Sequence, residues 1–276
     1  MLSPSPASTM FAQPPLPAPP LPGAEERWAL FLDVDGTLLD FADHPDQVSV
    51  DTHLRNLLDE LYITLDGALA VVSGRSLDDL DDLFGSPSWA LVGLHGLELR
   101  GTDGRYRGVH IGATRRSLVR DMASTVAAGL PGVTLEDKGM AVALHCRTAP
   151  GQFNALRERV EILLPRLPGY EMQQGNLVIE LKPEGMDKGK AVASLLSGWP
   201  FNGRLPVYVG DDLTDEHGFA TANLESGLSV RVGLREPSLA RFSLPEPAAT
   251  RVWLSRVLHT LKHGTLSHAH SPGGSA

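Results

Sequence analysis

Four short apolar runs, each closed abruptly by small or acidic residues, constrain this chain more than any bulk property does. Trp28-Ala29-Leu30-Phe31-Leu32 leads into Asp33-Val34-Asp35-Gly36-Thr37, and Ala68-Leu69-Ala70-Val71-Val72 leads into Ser73-Gly74-Arg75. Trp89-Ala90-Leu91-Val92 leads into Gly93-Leu94-His95-Gly96, and Val207-Tyr208-Val209 into Gly210-Asp211-Asp212. Unbroken apolar runs of this length read as strands buried on both faces, as in a parallel sheet. Between them, Val50 to Tyr62 spaces Leu54, Leu57, Leu58 and Leu61 along one helical face, and Ser76–Phe84 and Lys188–Leu196 read as further helices. Strand–helix alternation with right-handed crossovers predicts an α/β fold, a doubly wound and mostly parallel sheet. Such sheets bind ligands outside the carboxyl ends of their strands, and all four polar clusters fall there.

The middle of the chain follows another pattern. Arg105–Ile111, Gly139–Arg147, Tyr170–Met172 and Leu177–Leu181 read as strands, separated by helices over Arg115–Ala128 and Gln152–Leu163. A small α+β domain is therefore expected over residues 102–183, inserted into a sheet domain formed by 27–101 and 184–263. Residues 1–26 carry Pro14, Pro15, Pro17, Pro19, Pro20 and Pro22 and are expected to be a disordered or polyproline-like extension. The tail, 264–276, is expected to be unstructured, with His268 and His270 as tail composition and not metal ligands.

Composition excludes several classes of function. A formal net charge of −9 speaks against a nucleic-acid surface, which needs clustered Lys and Arg. Cys146 is the single cysteine, so no intramolecular disulfide forms, and a buried, inert thiol is expected. No apolar stretch approaches the ~20 residues that span a bilayer. The N-terminus lacks a basic segment followed by an apolar one, so no signal peptide is expected, and the expected location is cytoplasmic. Nothing in the sequence sets the oligomeric state; a monomer is the working expectation.

The polar clusters carry the chemistry. Asp33 and Asp35 leave a strand end into a glycine turn, where one carboxylate can attack phosphorus while the other serves the leaving oxygen as acid. A calcium-binding helix–loop–helix is excluded, because the sixth and twelfth positions counted from Asp33 are Leu38 and His44 in place of Gly and Glu. A solvated turn remains an alternative. Asp211, Asp212, Asp215 and Glu216 suit either a Mg²⁺ site or an acidic start to the next helix. Lys188 opens a predicted helix, where a cation is unfavourable unless an anion lies nearby. A bound phosphoryl group would be such an anion; a plain surface lysine is the alternative. Ser73 with its neighbouring amides can bind phosphate or simply cap a helix. The segment Lys182 to Lys190 does not match the nucleotide-binding P-loop pattern.

Taken in order, Asp-x-Asp-Gly-Thr-Leu, a strand-end serine, a lysine and Gly-Asp-Asp-x-x-Asp resemble the haloacid dehalogenase superfamily of phosphotransferases. Within it the chain resembles the trehalose-6-phosphate phosphatases, from about Trp28 to Leu261. The segments that carry this are Ser73-Gly74-Arg75, Gly93-Leu94-His95-Gly96, Glu136-Asp137-Lys138-Gly139, Ala143-Leu144-His145-Cys146-Arg147, Glu180-Leu181-Lys182-Pro183 and Gly210-Asp211-Asp212-Leu213-Thr214-Asp215-Glu216. One departure is Cys146, where relatives often carry an aromatic residue. The resemblance implies a Rossmann-like core with a cap, and Mg²⁺-dependent release of phosphate from trehalose 6-phosphate in trehalose biosynthesis. It implies Asp33 as nucleophile and Asp35 as acid and then base. It also implies Mg²⁺ held by Asp33, the Asp35 backbone carbonyl and Asp211, with Asp212 and Asp215 supporting its waters. Ser73, Lys188 and Arg75 would attend the phosphoryl group. His95, Gly96, Glu136, Lys138 and Glu180 would meet the sugar.

The implied ligand is a small sugar phosphate. Sucrose 6-phosphate or mannosyl-3-phosphoglycerate would serve the same core chemistry, and Glu136 with Lys138 could be a mere cross-strand surface pair. A non-catalytic sugar-phosphate sensor and a phosphomutase complete the alternatives.

Overall fold

The computed structural model describes residues 16–40 and 49–264. The first elements are β1 (Trp28–Leu32), α1 (Thr52–Thr64), β2 (Leu69–Val72), α2 (Leu77–Phe84), β3 (Ala90–Gly93), β4 (Glu98–Arg100) and β5 (Tyr106–Gly108). There follow α3 (Ala113–Ala128), β6 (Thr134–Asp137), β7 (Val142–His145), α4 (Phe153–Leu163), β8 (Tyr170–Gly175) and β9 (Val178–Pro183). The chain ends with α5 (Lys188–Leu196), β10 (Leu205–Gly210), α6 (Glu216–Leu224), β11 (Leu228–Val232), β12 (Phe242–Leu244) and α7 (Pro247–His263).

Eight strands form one sheet in the order β12-β11-β10-β1-β2-β3-β4-β5. Pairing is parallel from β12 to β3, and β4 and β5 extend it antiparallel. Every residue of β1, β2 and β3 is buried, which is why these strands read as unbroken apolar runs. The chain works outward from β1 through β2 and β3, then restarts at β10 on the other side of β1. That reversal opens a crevice at the carboxyl ends of β1 and β10.

Local signals fix the flanking helices. Asp51 caps α1 by accepting from the Leu54 amide at 2.7 Å. Ser76 and Asp79 cap α2 reciprocally, and Gly85 ends it in the left-handed conformation. Asp187 caps α5 through the Lys190 amide at 2.8 Å, fixing where Lys188 begins the helix.

A second sheet, β6-β7-β9-β8, is antiparallel throughout and has its own apolar core with α3 and α4. Cys146 lies buried in that core, as expected of an inert thiol. Leu94 and Leu97 of the large unit meet Ala141 of the small one in a separate buried cluster that joins the two.

Two expectations need correction. The stretch predicted as a strand of the small domain, Arg105–Ile111, supplies β5, which pairs with β4 in the large sheet, so the inserted unit starts later than residue 102. Of the segment expected to be disordered, Leu16 to Pro22 is packed instead: Leu16 and Leu21 lie against the main core, and Pro19 and Pro22 are buried. The Ser243 amide donates to the Pro17 carbonyl at 3.0 Å and Trp253 Nε1 to the Pro20 carbonyl at 3.2 Å. Residues 1–15 and 265–276, including His268 and His270, lie outside the described residues. Among the described residues no helix is long and apolar enough to cross a membrane.

Candidate active site

The pairing of β1 with β10 runs one residue past the strand, where the Asp33 amide donates to the Val209 carbonyl at 2.9 Å. This register sets Asp33 beside the turn that follows β10. Carboxylate oxygens of Asp33, Asp211 and Asp215 then lie within 4.8 Å of one another. Lys188 reaches into the group from the start of α5, with Nζ 2.7 Å from Asp33 Oδ1 and 2.6 Å from Asp215 Oδ1. The anion that a cation at a helix start requires is thus present as two buried carboxylates.

Asp215 has all its acceptor positions engaged. Its Oδ1 takes Lys188 and the Tyr208 hydroxyl at 2.7 Å, and its Oδ2 takes the Asp211 and Asp212 amides at 3.0 and 2.9 Å. Gly210 is required for this approach, because a Cβ there would overlap the Asp215 carboxyl. Thr37 donates its hydroxyl to Asp211 Oδ1 at 3.0 Å. Asp212 stands apart from the three-carboxylate group and caps the short helical turn at Leu213–Asp215.

Charge in this cluster is unbalanced. Burial and the neighbouring carboxylate of Asp215 push Asp33 up to about 7, although Lys188 pulls the other way. Burial, Asp33 and Asp215 push Asp211 up to about 10. Lys188 is buried, which alone would lower it, yet Asp215 and Asp33 hold it well above the ordinary lysine range. Asp35 is occupied elsewhere: Arg75 donates Nε to its Oδ2 at 2.8 Å and Nη2 to its Oδ1 at 2.7 Å. Ser73 is buried at the end of β2, and its Oγ accepts from the Arg75 amide at 3.2 Å.

The small sheet reaches the same crevice. Lys138 donates Nζ to the Gly74 carbonyl at 3.1 Å and stands 3.8 Å from Glu180 Oε1. His95 Nε2 lies 2.9 Å from Glu180 Oε2, across the seam between the two units. Burial lowers His95, although Glu180 pulls the other way. Burial alone would raise Glu180, but Lys138, His95 and Lys182 hold it down to about 2. His95 Nδ1 and Glu180 Oε1 are both buried without a hydrogen-bond partner among the described residues. Glu136 is bonded to His145 Nε2 at 2.7 Å, the main reason it titrates below the usual range. On the Asp211 side, a cavity of about 580 Å³ is lined by Gln174 and Gly175 at the end of β8 and by Asn176 after it, together with Gly36, Asp211 and Asp212.

Residues 31–248 match the sequence profile of the family described as trehalose-phosphatase. The chain belongs to that family. A probable trehalose-phosphate phosphatase of Sinorhizobium fredii is 46% identical over 230 residues, covering 82% of this chain and 86% of the relative. The trehalose-6-phosphate phosphatase of Escherichia coli is 43% identical over 215 residues, covering 77% of this chain and 80% of the relative. The C-terminal domain of a Candida albicans trehalose-6-phosphate phosphatase shares the fold, with a TM-score of 0.76 at 22% identity, over 88% of this chain and 99% of that one.

For a member of the trehalose-phosphatase family, a metal is implied, and the residues fit one. The donor set around Asp33 and Asp211 is all oxygen, as hard divalent cations prefer. Three carboxylates also face one ammonium, an excess that a cation would offset. At Gly96 φ is 104° and a side chain would strike the Asp187 carbonyl, so close packing requires glycine there. Sequence reasoning gave no part to Tyr208, His145 or Lys182. Lys182 is buried, bonded to the Met186 carbonyl and 2.7 Å from Glu171 Oε1, and so ties the segment leading to Lys188 onto the small sheet. His145 and Lys182 each had a signal, their places in Ala143–Arg147 and Glu180–Pro183, two segments that carry the family resemblance.

Proposed function

We propose that this chain hydrolyses trehalose 6-phosphate to trehalose and phosphate through a phosphoryl group carried on Asp33. The observation that carries the reading is the convergence of Asp33, Asp211, Asp215 and Lys188, from three distant parts of the chain, in the crevice between β1 and β10. An Asp33 oxygen bonds to phosphorus as the bond to the sugar oxygen breaks, and Asp35 supplies the proton that oxygen needs. Water then attacks phosphorus, Asp35 takes its proton, and the bond to Asp33 breaks, releasing phosphate. Ser73 and Lys188 bind the phosphoryl oxygens, with Arg75 beside them. Mg²⁺, held by Asp33, the Asp35 carbonyl and Asp211, would offset the repulsion between the carboxylate and the anionic ester. Asp215 fixes Lys188 and the Asp211 amide in place, and Asp212 supports the turn that bears Asp211.

The small unit is read as the cap that selects the sugar. A disaccharide offers hydroxyls that are both donors and acceptors, and the seam holds His95 Nδ1 and Glu180 Oε1, neither of them hydrogen-bonded among the described residues, with Lys138 3.8 Å from Glu180 and Glu136 on the same small sheet. A polar substrate of this kind fits a cytoplasmic enzyme. The test is phosphate release from trehalose 6-phosphate, sucrose 6-phosphate and mannosyl-3-phosphoglycerate, each with and without Mg²⁺. Trehalose 6-phosphate should turn over fastest and only with the metal. Faster turnover of sucrose 6-phosphate would overturn the sugar assignment, and tight binding without phosphate release would favour a sensor.

A further inference from the structure

The Asp35 side chain is the partly exposed one on an otherwise buried turn after β1, yet both of its oxygens are taken by one side chain. Arg75 grips it with two parallel bonds of 2.8 and 2.7 Å, the fork-to-fork geometry that adds direction to charge. Arg75 is itself well anchored. Its amide donates to Ser73 Oγ, its carbonyl accepts from the Leu94 amide at 2.8 Å, and the neighbouring Gly74 carbonyl accepts from Lys138. The guanidinium is mostly buried, whereas about a third of the Asp35 side chain is exposed. A carboxylate a third exposed, without such a partner, would sample several rotamers.

We infer that Arg75 is a positioning residue for Asp35, setting the direction in which that carboxyl group gives and takes its proton. The role rests on the phosphatase reading and adds to it, because a residue that only bound the phosphoryl group would have no reason to hold both Asp35 oxygens. Two lone pairs of the carboxylate are committed to Arg75, one on each oxygen. The remaining pair on each points away from the guanidinium, and there Asp35 can carry the proton destined for the leaving oxygen. In that step the Asp33–phosphorus bond forms, the ester bond breaks with its electron pair on the leaving oxygen, and the proton passes from Asp35 to that oxygen. A leaving group that departs as a stable anion does not need the proton; a sugar or alkyl alkoxide does.

The experiment measures kcat/KM for a series of aryl and alkyl phosphates of increasing leaving-group pKa. This parameter reports steps up to the first departure of the leaving group. It is measured for the wild type, Arg75→Lys, Asp35→Asn and the double variant. Lysine keeps the cation but cannot hold two oxygens. Arg75→Lys should steepen the leaving-group dependence towards that of Asp35→Asn, losing roughly 10- to 100-fold more on alkyl than on nitrophenyl esters. The double variant should share the slope of Asp35→Asn alone. A parallel loss across the series, with the wild-type slope kept, would overturn the role, whether it came from weaker phosphoryl binding or from general disorder. A wild type that releases phosphate from none of the esters would instead remove the phosphatase reading, and this role with it.

Discussion

Tyr208 donates its hydroxyl to Asp215 Oδ1 across 2.7 Å, between two side chains that are both fully buried. The bond joins the interior of β10 to the carboxylate that organises the acidic cluster. Burial and the nearby Asp215, Asp33 and Asp211 raise Tyr208 well above its ordinary range, so its hydroxyl keeps the proton it donates to Asp215. Tyr208→Phe leaves Asp215 one hydrogen bond short without changing the shape of the core. The expected loss is about 1–3 kcal/mol of stability, together with weaker metal binding, read by thermal melting and calorimetry. Unchanged melting in metal-free protein would show that Asp215 does not depend on this hydroxyl.

Removing the proposed nucleophile tests the covalent route. Asp33→Asn is nearly isosteric, and Lys188 keeps Asp215 as its partner. Turnover should fall by at least roughly 10³-fold, with a cooperative melt retained. No hydroxylamine-sensitive phosphoprotein should be trapped with the variant. Residual turnover near the wild-type rate would rule the covalent step out.

The acidic cluster makes metal affinity and stability depend on pH with opposite signs. Both Asp33, at about 7, and Asp211, at about 10, lie above the ~3.9 of an unfolded aspartate. The folded metal-free protein therefore binds more protons than the unfolded chain as pH rises from about 4 to those values. Stability from these two groups is fully present below about pH 4 and is lost as pH rises through 7 for Asp33 and 10 for Asp211. A metal competes with the same protons, so Mg²⁺ should bind more tightly at higher pH and release protons on binding. The rise in melting temperature on adding Mg²⁺ should accordingly be larger at pH ~8.5 than at pH ~6. An equal rise at both would contradict the linkage.

Much of this was legible in the sequence because it depends on local pattern. The apolar runs that became β1, β2, β3 and β10 are buried on both faces, so every residue carries the signal, and the turns after them bear the acidic groups. Where contacts are tertiary, the signal vanishes. Nothing in the sequence pairs Arg75 with Asp35 or His95 with Glu180, and Tyr208 reads only as one more residue of an apolar run. The strand β5 is exposed and three residues long, too short to say which sheet it joins. The error over Leu16 to Pro22 came from weighing prolines above the leucines between them, although Leu16 and Leu21 are what the core receives.

The cap seam gives a prediction about selectivity. Lys138 bonds the Gly74 carbonyl and stands beside Glu180, so its removal alters the seam and leaves the Asp33 cluster untouched. Lys138→Ala should lower kcat/KM for trehalose 6-phosphate by about 10- to 100-fold, as expected for a lost charge-assisted bond. A small aryl phosphate, which has no sugar to lose, should change far less. Equal losses on both substrates would remove Lys138 from sugar recognition.

The proline-rich arm gives the last prediction. The strand β12 is an edge of the large sheet, and its outward Ser243 amide is satisfied by the Pro17 carbonyl. An unpaired edge amide is a template for association with another chain. Pro17, Pro19, Pro20 and Pro22 have no N–H to offer, so the arm covers the edge while presenting few donors of its own. It also covers Trp253, whose indole is bonded to Pro20. Deleting residues 1–22 should remove about 1–3 kcal/mol of burial and lower the melting temperature by roughly 2–10 °C. Tryptophan emission should shift to longer wavelength, and light scattering at high concentration should increase, because β12 is left open. A truncated protein with the parent's melting temperature and emission would show that the arm adds nothing to the fold.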